Sequence, residues 1–160
     1  MDTKQMKVLM ERYGRLKIRI ENSQNKIRRI RAYSFEEYIE EKTYRSPLGE
    51  RRLQGVKPSN PTETLGIYGR EQYEGARDAQ LRAEQIRLRE MQALLWQMDN
   101  LIKHLDAQER VFIQRRYADG ERVEAFYKEL GVSRATAFRK IENAISQLAE
   151  LYNERYEMAA

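Results

Sequence analysis

From Ser133 to Ile141 the chain reads Ser-Arg-Ala-Thr-Ala-Phe-Arg-Lys-Ile, three basic residues with no acid among them. Arg134 and Arg139 carry planar donor forks that match the two acceptors on the major-groove edge of guanine, and Ala135 and Thr136 offer apolar contact to a thymine methyl. Lys140 suits a phosphate oxygen, as do Ser133, Arg122 and Lys128. This is the chemistry of duplex DNA recognition. Reaction chemistry has little to work with. Cysteine is absent and His104 is the only histidine, which removes thiolate nucleophiles and His-rich metal sites. No Gly-rich phosphate loop follows a strand pattern. The expectation is a binding protein and not an enzyme, with no catalytic residue, metal or cofactor.

Groove reading needs a helix held with its first turn outward. Asp106 and Glu109 form a cap signature, and Gly120 sits where a helix end favours a left-handed residue. One helix is therefore predicted over about 107–118 and a second over about 122–130, stopped by Gly131. Ser133 can cap a third helix running to about 152, with Ala137, Ile141, Ala144, Ile145, Leu148 and Leu151 as its buried stripe. Val132 plugs the junction. Two short helices joined by a three-residue, Gly-initiated turn form the helix-turn-helix pattern.

Two longer elements precede this module. Leu9, Tyr13, Leu16, Ile20, Ile27 and Ile30 follow three- and four-residue steps, with Ser23 in the remaining slot. Leu81, Glu84, Leu88, Met91, Leu95, Met98, Ile102 and Leu105 do the same, with Glu84 as the polar exception. Both series have the 3.5-residue period of a coiled-coil seam. A seam this narrow needs a partner, either an antiparallel hairpin within the chain or a second copy. All three prolines and five of the eight glycines lie within residues 47–75, so residues 33–73 are predicted to be a connector. Within it, Ser34 with Glu37 is a capping box. Asn60-Pro61 starts another short helix. Residues 46–59 read as an exposed loop, and Arg45, Arg51, Arg52 and Lys57 in or beside it are further candidate nucleic-acid contacts. The expected segments are thus a basic helix over 1–32, the connector, a long helix over 74–105, and a DNA-binding domain over 106–160. The fold class is all-α.

Charge is uneven. Residues 1–32 hold ten basic and three acidic residues, whereas residues 106–160 hold nine and ten. Lys26, Arg28, Arg29 and Arg31 read as a solvated face, as partners of the acidic run Glu36–Glu41, or as contacts to a DNA backbone. Trp96, off the seam, is expected to pack, and His104 to be a surface or half-buried helix residue. No apolar run is long enough to span a membrane, and the first residues lack the apolar core of a secretory signal. A cytoplasmic, non-membrane protein is expected.

The pattern Leu105-Asp106-x-x-Glu109-Arg110-x-Phe112-Ile113-x-x-Arg116-Tyr117-x-x-Gly120, followed by Glu129-Leu130-Gly131-Val132-Ser133-Arg134-x-Thr136-x-x-Arg139-Lys140-Ile141, resembles region four of bacterial sigma factors, the part that reads the upstream promoter element. The wider layout is similar to the ArpU/RinA group of small phage and prophage regulators, which switch on late genes for packaging and lysis in Gram-positive hosts. The likeness is closest over residues 94–152 and looser before them. It implies an activator of transcription in the bacterial cytoplasm, associated with the nucleoid. Its partners would be promoter or operator duplex, host RNA polymerase, and a second copy through the heptad helices. The chain departs from the pattern at Tyr127, where such modules place Ala, and at Arg122, where they place Ser or Thr. The clustered Tyr33, Phe35, Tyr38 and Tyr44 lack the spacing of a promoter-melting region, which argues against a complete sigma factor. Two other readings stay open. A small terminase subunit would form a large ring that marks DNA for packaging, and an adaptor would dock on RNA polymerase without touching DNA.

Overall fold

The computed structural model describes residues 1–45 and 61–157, with side chains over 1–42 and 68–156. Among the described residues every regular element is helical. These are α1 (Thr3–Ala32), α2 (Phe35–Arg45), α3 (Pro61–Ile102), α4 (Ala107–Ile113), α5 (Val123–Phe126) and α6 (Arg134–Tyr152). Wider π-helical turns follow α4 at Gln114–Ala118 and α6 at Asn153–Glu157. No described helix is long and apolar enough to cross a membrane. The expected 46–59 loop, the Asn60 cap and the Arg45 side chain lie outside the described residues.

The expected connector over 33–73 ends earlier than the sequence suggests. The long helix does not start at residue 74; α3 begins at Pro61 and runs 42 residues without a break. Glycine inside a helix costs about 1 kcal/mol but does not interrupt its hydrogen bonds, whereas proline does. No proline follows Pro61, so Gly66, Gly69 and Gly75 are carried as penalties inside one helix. The second short helix expected after Asn60 is the first part of α3.

Two compact units result, one combining Met1–Glu21 with Arg89–Ala160 and the other spanning Asn22–Leu88. They cut across the expected segment boundaries, because α1 and α3 each contribute to both.

In the Asn22–Leu88 unit the two polar exceptions of the heptad seams meet. Ser23 Oγ donates to Glu84 Oε1 at 2.8 Å, and both residues are buried. Lys26 Nζ reaches the other carboxylate oxygen at 2.8 Å. Further along, the Tyr73 hydroxyl donates to the Tyr33 carbonyl. Rising numbers on α1 thus meet falling numbers on α3, and these segments run antiparallel. A lone carboxylate in an apolar seam is costly, so this pairing penalises any other register. Tyr33, Phe35 and Tyr38 gather around Tyr73, with centroids 5.5–6.0 Å from its ring. The capping box at the start of α2 closes in both directions, Glu37 N–H to Ser34 Oγ and Ser34 N–H to Glu37 Oε2.

The other unit holds the main core. Met6, Met10, Tyr13 and Leu16 of α1 pack with Met98, Leu101, Ile102 and Leu105, with Phe112 and Ile113 of α4, with Val123 and Phe126 of α5, and with the inner face of α6. Met6 and Met10 are fully buried; Met6 extends the seam read from sequence by one three-residue step, and Met10 lies beside it. The Tyr13 hydroxyl donates to Asp99 at 2.7 Å; burial first, then this bond, pushes its pKa up. Trp96, expected to pack, is 64 % exposed, because it faces away from Met98 and Leu101. Gly14 supplies the closest approach. A methyl group at its Cα would overlap the Tyr117 carbonyl oxygen, so α1 lies backbone against backbone on the turn after α4.

Two outcomes follow. Gly14→Ala should lower stability by about 1–2 kcal/mol, although Ala favours a helix by up to ~1 kcal/mol; a raised melting temperature would remove the close-contact account. Glu84 has its pKa lowered, first by the Lys26 bond and then by Ser23. That stabilisation is complete above the ordinary glutamate value and is lost as pH falls through the lowered one. Glu84→Gln should therefore be less stable at neutral pH, with the gap closing on acidification in paired urea titrations. A gap independent of pH would contradict the ion pair.

Candidate nucleic-acid interface

α4 opens on Asp106, whose carboxylate accepts from the Glu109 N–H at 2.7 Å. The Glu109 side chain does not return the bond; it is buried and accepts from Gln147 of α6 at 3.3 Å. Phe112 and Phe126 lie 5.9 Å apart and fill the centre. The stretch from Gly120 to Gly131 has little regular helix of its own, since α5 spans only four residues of the expected 122–130. Arg122 occupies its N-cap position without a side-chain cap bond, as expected where Ser or Thr is missing. Arg115 compensates. Its guanidinium donates to both oxygens of Glu121 at 3.0 and 2.8 Å and to Glu129 at 2.6 Å, and stacks 5.1 Å over Phe126. One side chain thereby ties both ends of the α5 segment to the turn after α4.

Gly120 and Gly131 have φ of 72° and 68°. Neither has a neighbour within 4 Å of where a Cβ would sit, so backbone conformation alone demands glycine there. Val132 is half-buried against the core. Ser133 then caps α6, its Oγ accepting from the Thr136 N–H at 3.1 Å. A second bond of 2.9 Å links the Ser133 and Thr136 hydroxyls.

α6 buries Ala137, Ile141, Ala144, Ile145, Leu148 and Ala149. Leu151, expected in this stripe, is half-buried. The opposite side of its first turns exposes Arg134, Ala135, Phe138 and Arg139, with Thr136 and Lys140 at the margins. The candidates differ in what holds them. Arg134 donates through Nε and Nη2 to Glu124 Oε1 at 3.1 and 2.8 Å, and its guanidinium lies 5.4 Å from the Phe138 ring centroid. Glu124, at the start of α5, has its pKa lowered by its own backbone N–H and then by Arg134. Arg139 and Lys140 have no hydrogen bond or ion pair among the described residues. Lys128 lies 5.9 Å from the Tyr127 ring centroid. That ring is half-buried against the core and does not force α5 from α6, since Phe126 and Ala137 remain fully buried. Arg134, Ala135, Thr136, Arg139 and Lys140 thus share one surface, while Arg122 and Lys128 sit at the two ends of α5.

Sequence reasoning missed Arg115, Glu124 and Phe138. Phe138 stands four residues after Arg134, the spacing at which helix side chains meet, so its place on the outer face was available from the pattern. The Arg115 partners are 6 and 14 residues away across irregular chain, and no periodicity points to them. His104 is exposed just past α3, its Nδ1 2.7 Å from the Asn100 carbonyl oxygen.

No protein-family model, no curated protein and no solved structure matches this chain.

Gly131→Ala should cost roughly 1–2 kcal/mol, the price of a left-handed conformation with a Cβ, and Gly131→Asn less. Thermal melts of both variants would check this; equal losses would place the cause outside the backbone.

Proposed function

We propose that the chain is a sequence-specific duplex DNA-binding regulator of transcription, a helical hairpin carrying a helix-turn-helix that reads the major groove with the leading turns of α6. One observation carries the reading. A glycine-set turn and a serine cap present an acid-free helix start whose Arg139 and Lys140 have no hydrogen bond or ion pair among the described residues. A charged fork held out on a rigid helix without an internal acceptor suits an external one, and a major groove admits a helix of this width. The Arg134–Glu124 pair refines the assignment. Arg134 is already engaged, so Arg139 is the principal base reader and Arg134 supports Phe138 at the edge of the surface. Lys140, at the margin, takes a phosphate. Activation of phage or prophage late genes is the role that the resemblance to the ArpU/RinA group adds.

The test is enrichment of sheared genomic DNA, phage regions included, at near-physiological salt, followed by affinity measurements on the recovered site. Arg139→Ala should lower specific affinity by ~1–3 kcal/mol and relax preference at one base position, whereas Lys140→Ala should reduce the salt slope by about one unit. Equal weakening on all sequences would make Arg139 a phosphate contact and overturn the base-reading role. Absence of any enrichment would favour an adaptor on RNA polymerase. Enrichment at a packaging gene by a ring-sized particle would favour a terminase subunit.

A further inference from the structure

A second basic surface lies in the same compact unit as α6. Arg12, Arg15 and Arg19 of α1 line one open groove of about 660 Å³ together with Arg116, Tyr117 and Gly120 from the turn after α4. The three α1 arginines stand at steps of three and four residues, so they form one row. At 1.5 Å rise per residue the row is roughly 10 Å long. Arg116 faces it from the other wall, its guanidinium 5.6 Å from the Tyr117 ring centroid. Glu11 and Asp119 also line the groove, yet no ion pair joins either of them to these arginines among the described residues. Four guanidiniums therefore line one groove against two carboxylates, and none of the four is held in an ion pair among the described residues. An ordinary solvated helix face has no reason to bring a fourth arginine from a separate element, and the bare backbone of Gly14 is what lets the two walls come so close.

The groove adjoins the reading surface. Glu142 stands three, four and seven residues after Arg139, Phe138 and Ala135, on the same side of α6. It pairs with Lys7 of α1, one turn before Glu11. Val8, four residues before Arg12, is half-exposed and lines the groove as well. The outer stripe of α6 thus leads through the Lys7–Glu142 pair to the arginine row. We infer that this groove is a phosphate-backbone site for the same duplex, holding consecutive phosphates that flank the bases read by α6. The inference rests on the proposed DNA-binding reading and extends it to a part of the chain outside the helix-turn-helix. A strand of B-DNA presents a phosphate about every 3.4 Å of helix axis, so a row of this length spans about three.

The test compares the full chain with an Arg12→Gln/Arg15→Gln/Arg19→Gln variant and with an Arg28→Gln/Arg29→Gln/Arg31→Gln control that removes the same charge elsewhere on α1. All six residues are exposed, and Gln keeps helix propensity near that of Arg, so circular dichroism and melting should match the parent. The probes are the enriched genomic duplex and a random duplex of equal length. Three lost phosphate contacts predict a fall in the log-affinity against log-salt slope of about 2.7, with the same preferred sequence retained. Phosphate-ethylation interference should lose its positions flanking the read bases in the groove variant alone. An unchanged slope, or an equal fall in the control triple, would overturn the groove as a site. The two readings fail separately. Loss of sequence preference in the parent chain, with a slope that still depends on Arg12, Arg15 and Arg19, would sink base reading and leave the groove standing. Preference kept at an unchanged slope would do the reverse.

Discussion

The contact between Gly14 and the Tyr117 carbonyl governs how the C-terminal helices are supported. A four-residue α5 and a seven-residue α4 are too short to hold their shape by helix propensity, since isolated helices below about 12 residues are marginal in water. They need a long neighbour at close range. α1 can be that neighbour only where a side chain is missing, and Gly14 is the position that faces the π-helical turn. The same approach carries Met6, Met10, Tyr13 and Leu16 into the core with Phe112 and Phe126. A glycine that weakens α1 locally thereby permits the burial that holds α4, α5 and α6 together.

Polar groups then fix what apolar packing leaves free. In the Asn22–Leu88 unit, Ser23 and Glu84 convert a slippery heptad seam into one register. In the other unit Arg115 fastens the turn after α4 to both flanks of α5. A stretch with so little repeating backbone structure keeps its shape because one guanidinium is shared by two carboxylates and a ring. The Ser133 cap acts further out, defining where α6 begins and so which residues project from its first turn. Within that unit the Arg115 and Ser133 bonds restrict where Ala135, Arg139 and Lys140 can be.

Much of this was legible in the sequence, for identifiable reasons. Capping chemistry is local, so the starts at Asp106 and Ser133, the Ser34–Glu37 box and the left-handed Gly120 and Gly131 all follow from residue type and spacing. α6 follows too, because a stripe of Ala, Ile and Leu over 19 residues has one period. The start of α3 is not legible from its glycines, because Gly66, Gly69 and Gly75 only weaken a helix that Pro61 begins. Polar slots in two seams, Ser23 and Glu84, read as separate exceptions until the fold set them against each other. Partnerships such as Arg115 with Glu129, or Arg134 with Glu124, depend on how irregular chain folds back, and side-chain type alone does not encode that.

The charge balance makes sense only once the fold is known. Residues 106–160 by themselves carry one more acidic than basic residue, an unpromising sum for the proposed duplex contact, since affinity for a duplex backbone comes from neutralising it. Several of those acids are spent internally, Glu121 and Glu129 on Arg115, Glu124 on Arg134, and Glu142 on Lys7. The compact unit also includes the first 21 residues, which bring six basic and three acidic residues, three of the basic ones in the arginine row. What matters for an anionic partner is which charges remain unpaired on the face that meets it. On the outer side of α6 these are Arg139 and Lys140, and in the adjoining groove Arg12, Arg15, Arg19 and Arg116 set against Glu11 and Asp119. Packing α1 against the turn after α4 therefore gives the C-terminal helices the positive surface that their own sequence lacks.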